Sequence, residues 1–320
     1  MSSPAGTVRR SATSGTAADE RRPLRSRRRL SRRVHWSLYL FPLPLLVPYA
    51  VFFAIPAIQS FQYAVTDWDG LSPTFNYVGF DNFRRIFTAD DLFRNALFNN
   101  LEFMLVVLVL QTALSLVLAL LLAKQSRAGI ALRALFFFPT ILSSVSVAFI
   151  WRFIYDPTIG LANTLLGDVG LHGLQGPFLG GPNAIIFVGL AQVWAHTGQL
   201  MVVYIAGLHQ IPQDVKEAAI VDGANRWQRF RYITWSLIAP ATAIVMAYTV
   251  LQSFRAFDLI LGLDQIPPRS TMDILSTRIY TSFAGSEFGY ATAESIVFMV
   301  IIAIVVWLQR RLVRMTQAGG

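Results

Sequence analysis

Ile211-Pro-Gln-Asp-Val-Lys-Glu-Ala-Ala-Ile-Val-Asp-Gly-Ala-Asn225, continued by Arg226-Trp-Gln-Arg-Phe-Arg-Tyr-Ile233, is a charged segment set between two charge-free runs, 184–208 and 232–254. Each run is long enough, at 1.5 Å per residue, to cross a hydrocarbon layer about 30 Å thick. The charged segment is therefore a loop at one face of a membrane, and its punctuation is that of a short helix. Pro212 can open the helix, because its missing N–H would have no partner there anyway, and Gly223 can close it in a left-handed conformation. Asp214 and Glu217 suit the positive first turns. Ile211, Val215, Ala218 and Ala219 fall on one face, which the two alanines leave small enough for another backbone to approach. At about eleven residues the helix is marginal alone in water, so packing against a partner is expected to hold it.

Working outward, further charge-free or nearly charge-free windows lie near 38–60, 103–123, 134–154 and 289–309, for a total of six expected spans. Arg152 and Glu294 stand near window edges, where long side chains are expected to snorkel to the headgroups. The composition agrees, with 54% hydrophobic and 14% charged residues, against about 25% charged in an ordinary soluble domain. An all-α, polytopic membrane protein is expected, organised as a basic disordered tail over 1–35, a six-span domain over 36–315 and a short tail over 316–320. The run Trp36–Thr66 has no charged residue and exceeds the roughly 7–15 apolar residues of a secretion-signal core, so it reads as an uncleaved first span.

The net charge of +9 suggests nucleic acid until it is located. Ten arginines stand in residues 1–35 against only Asp19 and Glu20, which leaves the remaining chain almost neutral. A basic tail before a span is what the positive-inside rule expects, and nucleic-acid binding is set aside. The other clusters agree: Lys124, Arg127 and Arg133; Lys216, Arg226, Arg229 and Arg231; Arg310, Arg311 and Arg314. On the opposite loops Arg84, Arg85 and Arg94 are outweighed by Asp67, Asp69, Asp81, Asp90 and Asp91. Both termini are expected in the cytoplasm of a bacterial plasma membrane protein. The outer stretch 155–183 is rich in Gly and Pro and reads as a compact loop or re-entrant cap.

The loop after the fourth window resembles the EAA loop of ABC-importer permeases. That family's pattern of Glu-Ala-Ala, three residues, Gly, nine residues and Ile is met at Glu217, Ala218, Ala219, Gly223 and Ile233. Trp235 and Ser236 stand where the family has Leu-Pro, and Pro240 matches a second common proline. Tyr77-Val-Gly-Phe-Asp-Asn-Phe83, the stretch Arg133–Trp151 with Phe138-Pro139, and Asp156-Pro-Thr-Ile-Gly-Leu-Ala-Asn163 resemble the carbohydrate branch, maltose and multiple-sugar permeases. Leu263–Thr271 departs from that branch's Thr-Gly-Gly-Pro turn.

The resemblance implies a type I importer fold in which the coupling loop, 209–233, seats a helix in a groove on an ATPase, with Glu217, Ala218, Ala219, Asp222 and Gly223 at the contact. It implies a second homologous permease, two ATPase subunits, an extracytoplasmic substrate-binding lipoprotein and a sugar substrate, with glycerol phosphate or another polyol as the alternative. ATP and magnesium belong to the ATPase partners. This chain holds no phosphate-binding loop, since its two lysines, Lys124 and Lys216, follow Ala123 and Val215. No cofactor or metal is expected.

The substrate path is sought among polar side chains within spans, where each is costly in lipid. Gln192, His196 and Gln199 share a helical face, as do Thr249, Gln252 and Ser253. Uncharged amide, hydroxyl and imidazole groups suit sugar hydroxyls, and the same groups also serve as hydrogen bonds between helices. Arg255 and Asp258, three apart, are expected to pair. His35, His172 and His209 read as loop or interface residues. A membrane enzyme using His196, Asp258 or Glu294 lacks a His-Glu-x-x-His helix or serine elbow. An ion-coupled secondary transporter would need repeated halves that the sequence does not contain.

Overall fold

A computed structural model of the protein describes residues 40–318, with side chains as far as residue 311. The basic tail expected over 1–35 and the last two residues of the chain lie outside the described residues. The chain divides into two compact units, Met1–Phe52 and Phe53–Gly320. The described part of the first holds helix α1 (Leu43–Tyr49), whose last residue leads into a π-helical turn, Ala50–Ala54.

The second unit is built from α2 (Ile55–Tyr63), α3 (Asp81–Thr88), α4 (Asp91–Leu122), α5 (Arg127–Phe137), α6 (Ser144–Ile154), α7 (Leu161–Asp168) and α8 (Ala184–His209). It continues with α9 (Gln213–Val221), α10 (Arg226–Leu237, with a π-helical middle), α11 (Ala239–Ser253), α12 (Phe257–Leu263), α13 (Leu275–Ala284) and α14 (Phe288–Ala318). The extended pairing among the described residues is a lone antiparallel bridge, Thr66 to Tyr77. The architecture is all-α, as expected.

Four helical segments are long and apolar enough to cross a membrane unbroken: Leu43–Tyr63, Asp91–Leu122, Ala184–His209 and Phe288–Arg311. The windows at 134–154 and 232–254 are instead bent pairs, Arg127–Ile141 with Ser144–Ile154 at 100° and Arg226–Leu237 with Ala239–Ser253 at 65°. Counting each pair as one span makes six. Proline explains both bends, because it removes an N–H and crowds the preceding turn. Pro139 sits in a 3-10 turn, Phe138–Ile141, after which Ser143 restarts the helix by accepting from the Ser146 N–H. Pro240 sits in the first turn of α11, just after the non-helical Ile238.

The α4 and α8 helices form the central pair, and apolar clusters fill the space around them. One joins Phe103 and Val107 of α4 to Val147, Val188 and Ile260 from α6, α8 and α12. A second, at the other end of the pair, joins Leu116, Ala119, Leu208, Ile211, Ile238 and Val245. A third ties Ile86, Phe93, Leu275, Tyr290 and Val297 from α3, α4, α13 and α14. Within lipid these contacts hold by close packing, since hydrocarbon tails are as apolar as leucine. Gly198 shows how close: a Cβ there would stand 1.9 Å from the Phe136 carbonyl oxygen. That glycine lets the broken α5 segment lie directly on α8.

Two sequence expectations about charges are corrected. Glu294 does not snorkel; it is fully buried, with Arg278 Nε at 3.5 Å. The α13 helix covers it and brings the cation inward, so the carboxylate has no need to reach a headgroup. Arg255 and Asp258 do not pair, and both side chains are exposed. The chain turns between α11 and α12 at this point, which removes the helical spacing that would have brought them together.

Candidate functional site

The charged loop folds as its punctuation predicts. Pro212 is the residue just before α9, and Asp214 lies in the first turn. At the other end Gly223 takes φ +77°. The Ala224 N–H bonds to the Ala219 carbonyl at 2.9 Å and the Gly223 N–H to the Ile220 carbonyl at 3.1 Å. This paired closure satisfies two carbonyls at the helix end and needs a residue at ease with positive φ.

The predicted small face does not behave as one surface. Ile211 and Ala219 turn inward and are buried, whereas Val215 and Ala218 are exposed. Ile211 packs in the cluster with Leu208 and Ile238, which anchors the start of the loop to the end of the bundle. Exposed beside Ala218 are Glu217, Asp222, Ile220 and Val221, the last at 86%. Glu217 accepts from Gln213 Nε2 at 3.1 Å and has no cationic partner among the described residues. The motif thus presents an acid, a small residue and two branched apolar side chains on the outside of the bundle.

The polar span residues divide into three behaviours. Thr249 and Gln252 of α11 face α4, where Gln111 Nε2 donates to Thr249 Oγ1 at 3.4 Å and to Gln252 Oε1 at 3.3 Å. Gln199 of α8 donates through Nε2 to Tyr248 Oη at 3.2 Å, a second bridge to α11. The remaining three turn to their own helices or inward: Ser253 Oγ donates to the Thr249 carbonyl, His196 Nδ1 meets the Gln192 carbonyl at 3.2 Å, and Gln192 is buried.

Gln111 was not among the predicted residues. It is fully buried, and its Oε1 has no donor. Ser115, one turn on, bonds to the Gln111 carbonyl and reaches the Thr197 carbonyl at 3.2 Å. An i, i+4 polar pair inside the apolar run 103–123 was the available signal. Together Gln111, Ser115, Tyr248, Thr249 and Gln252 make an uncharged layer of amides and hydroxyls between α4, α8 and α11. An open hollow of about 420 Å³ lies elsewhere, among Thr158, Asn163, Gln175 and their neighbours in the 155–183 loop. No group of three or more metal-ligating side chains occurs among the described residues.

Comparison with known proteins gives the family. Residues 111–317 match the family model described as binding-protein-dependent transport system inner membrane component. A probable ABC transporter permease protein of Pyrococcus horikoshii is 31% identical over 271 residues, 84% of this chain and 92% of that one. A probable starch degradation products transport system permease protein of Thermoanaerobacterium thermosulfurigenes is 32% identical over 275 residues, 85% and 91% of the two chains. Among solved structures, a chain of a bacterial alginate ABC transporter, in complex with alginate pentasaccharide-bound periplasmic protein, superposes with a TM-score of 0.75 at 26% identity. That match covers 88% of this chain and 95% of the other. The chain belongs to the family of binding-protein-dependent transport system inner membrane components, and is a multi-pass permease subunit of an ABC importer.

Proposed function

We propose that this subunit carries a sugar across the membrane and is driven through α9 by a separate ATPase. The observation that carries the reading is the closed, outward-facing α9, with Glu217, Ala218, Ala219, Asp222 and Gly223 at the spacing of the EAA pattern. Its N-terminal side is fixed by Ile211 and its far end by Gly223, so a push on the exposed face moves the bundle ends of α8 and α11 with it. Both termini and this loop face the cytoplasm in this reading. A second permease, two ATPase subunits and an extracytoplasmic receptor lipoprotein complete the importer, and ATP and magnesium are held by the ATPases.

Sugar as cargo is supported by the relative named for starch degradation products and by the alginate importer's fold. It is supported also by the chemistry of the layer around Gln111, Thr249 and Gln252, which has hydroxyl and amide groups and no fixed cation. Gln192, His196 and Gln199 of α8 and Ser253 of α11 complete the candidate set.

The test is uptake in cells carrying the whole transporter. Glu217→Ala and Gly223→Val abolish transport and weaken recovery of the ATPase with the permease, while membrane insertion stays normal. Wild-type uptake in both variants would sink the coupling role. Gln252→Ala shifts the concentration dependence of sugar uptake without loss of ATPase recovery; unchanged kinetics would return Gln252 to a purely structural part.

A further inference from the structure

The segment α10 carries exposed side chains that the coupling role does not use. Asn225 and Gln228 cap it reciprocally, side chain to backbone at 2.9 and 2.8 Å, so its start is well defined. Phe230 is half-buried against the cluster of Leu208, Ile211 and Ile238 and pins the segment to the bundle end. Trp227, Tyr232, Trp235 and Leu237 are exposed at 68%, 73%, 47% and 45%. Arg226, Arg229 and Arg231 stand among them and form no ion pair among the described residues. No acidic residue occurs between Asp222 and Asp258.

The geometry of the bend sets this segment near the membrane surface. The α10 segment meets α11 at 65°. A span tilts by about 20° from the membrane normal, so α10 leaves the bundle at a shallow angle to the membrane plane. Its level is that of the ends of α4 and α8, because Ile238 packs beside Ala119 and Leu208. Tryptophan and tyrosine rings favour the headgroup layer, with the ring body in the acyl boundary and the N–H or O–H in water. A guanidinium fork matches two phosphate oxygens.

We propose that Arg226–Leu237 is a lipid-binding strap, in which Trp227, Tyr232 and Trp235 seat at the membrane interface and Arg226, Arg229 and Arg231 hold the phosphates of anionic phospholipids. The strap fastens the stretch between α9 and α11 to the bilayer surface. The binding does not depend on which side of the membrane that end faces, nor on the nature of the cargo.

The assembled transporter, purified in detergent, is mixed with vesicles of equal parts phosphatidylcholine and phosphatidylglycerol, and the lipid retained after repurification is measured by mass spectrometry. Phosphatidylglycerol is retained selectively by the wild type. R226Q/R229Q/R231Q binds it about a hundredfold more weakly, at roughly fivefold per arginine near a charged surface, whereas R226K/R229K/R231K keeps most of the binding. Brominated phosphatidylglycerol quenches a tryptophan signal that is absent from W227F/W235F, a measurement made with the arginines intact. Equal phosphatidylglycerol retention by the glutamine variant and the wild type would overturn the proposal. So would full lipid retention with loss of the ATPase, which would make α10 a protein-docking face, or an absence of quenching at Trp227 and Trp235.

Discussion

Arg278 Nη2 donates to Asp90 Oδ2 at 3.1 Å, joining the N-cap residue of α4 to α13 across 188 positions of sequence. The same carboxylate accepts from Tyr290 Oη at 2.6 Å and, through Oδ1, from the Phe93 N–H at 2.8 Å. One side chain therefore caps a span, pairs a buried cation and receives a phenol from α14. Removing one partner of a buried pair costs about 3–5 kcal/mol, because the other is left without compensation. Asp90→Ala and Arg278→Met each lower the unfolding free energy in detergent by that amount, read as a fall in the thermal midpoint. Because Arg278 also faces the buried Glu294, the triple variant Asp90→Asn, Arg278→Met, Glu294→Gln is the one that recovers most of the loss.

Two acids outside the spans respond oppositely to pH. Burial works to raise the Asp90 carboxyl, but the Tyr290 and Phe93 hydrogen bonds and the Arg278 charge outweigh it and hold the group below the ordinary carboxylate range. Its contribution is complete above pH 4 or so and is lost as pH falls through the lowered value. Asp273 is pushed up to about 6, by burial first, against the Thr277 hydrogen bond and the Arg278 charge. A raised carboxyl favours the fold at low pH and loses that contribution as pH rises through about 6. Asp273→Asn therefore raises the thermal midpoint near neutral pH, and the gain vanishes near pH 4 when melting curves are compared.

Gly198→Ala forces a methyl group into the Phe136 backbone, where no flexible side chain can yield. A cost of about 1–3 kcal/mol or more follows from overpacking of this kind. Gly173→Ala, at a loop position with nothing within 4 Å of the added carbon, is the control and stays within about 0.5 kcal/mol. Thermal unfolding of both variants checks the contrast.

Gly223→Ala meets no neighbour within 4 Å, so its effect is confined to the backbone. A left-handed conformation costs a residue with a Cβ roughly 1–2 kcal/mol. Hydrogen exchange at Gly223 and Ala224, whose N–H groups close α9, speeds up accordingly. Gly223→Asn, which tolerates that conformation better, exchanges at an intermediate rate.

Gln111 and Gln252 meet across α4 and α11 at 3.3 Å. Hydrogen bonds between membrane helices average about 0.6 kcal/mol and reach about 1.7. A double-mutant cycle with Gln111→Ala and Gln252→Ala is expected to return a coupling within that range. A coupling of zero would mean that the two amides merely adjoin.

Much of the loop was legible because its signals are local. Pro212, Asp214 and Gly223 act on the backbone next to them, and the structure follows them to within one residue. The inward turn of Ala219 and outward turn of Ala218 were not legible, because a helical face says which residues are neighbours and not which neighbour the bundle covers. The bends at Pro139 and Pro240 were written in the chain, but their angles of 100° and 65° depend on what each arm packs against.

The sequence by itself determined that this protein lives in lipid, and where the helix at Gln213–Val221 begins and ends. Charge-free length and chain punctuation are sufficient for that, since a backbone in hydrocarbon must satisfy its own hydrogen bonds by forming helix. Only the tertiary structure decided that Glu294 faces Arg278 instead of a headgroup, that Arg255 and Asp258 part company, and that Gln111 is the partner of Gln252. These are contacts between side chains distant in sequence or on either side of a turn, and no periodicity along one helix specifies them.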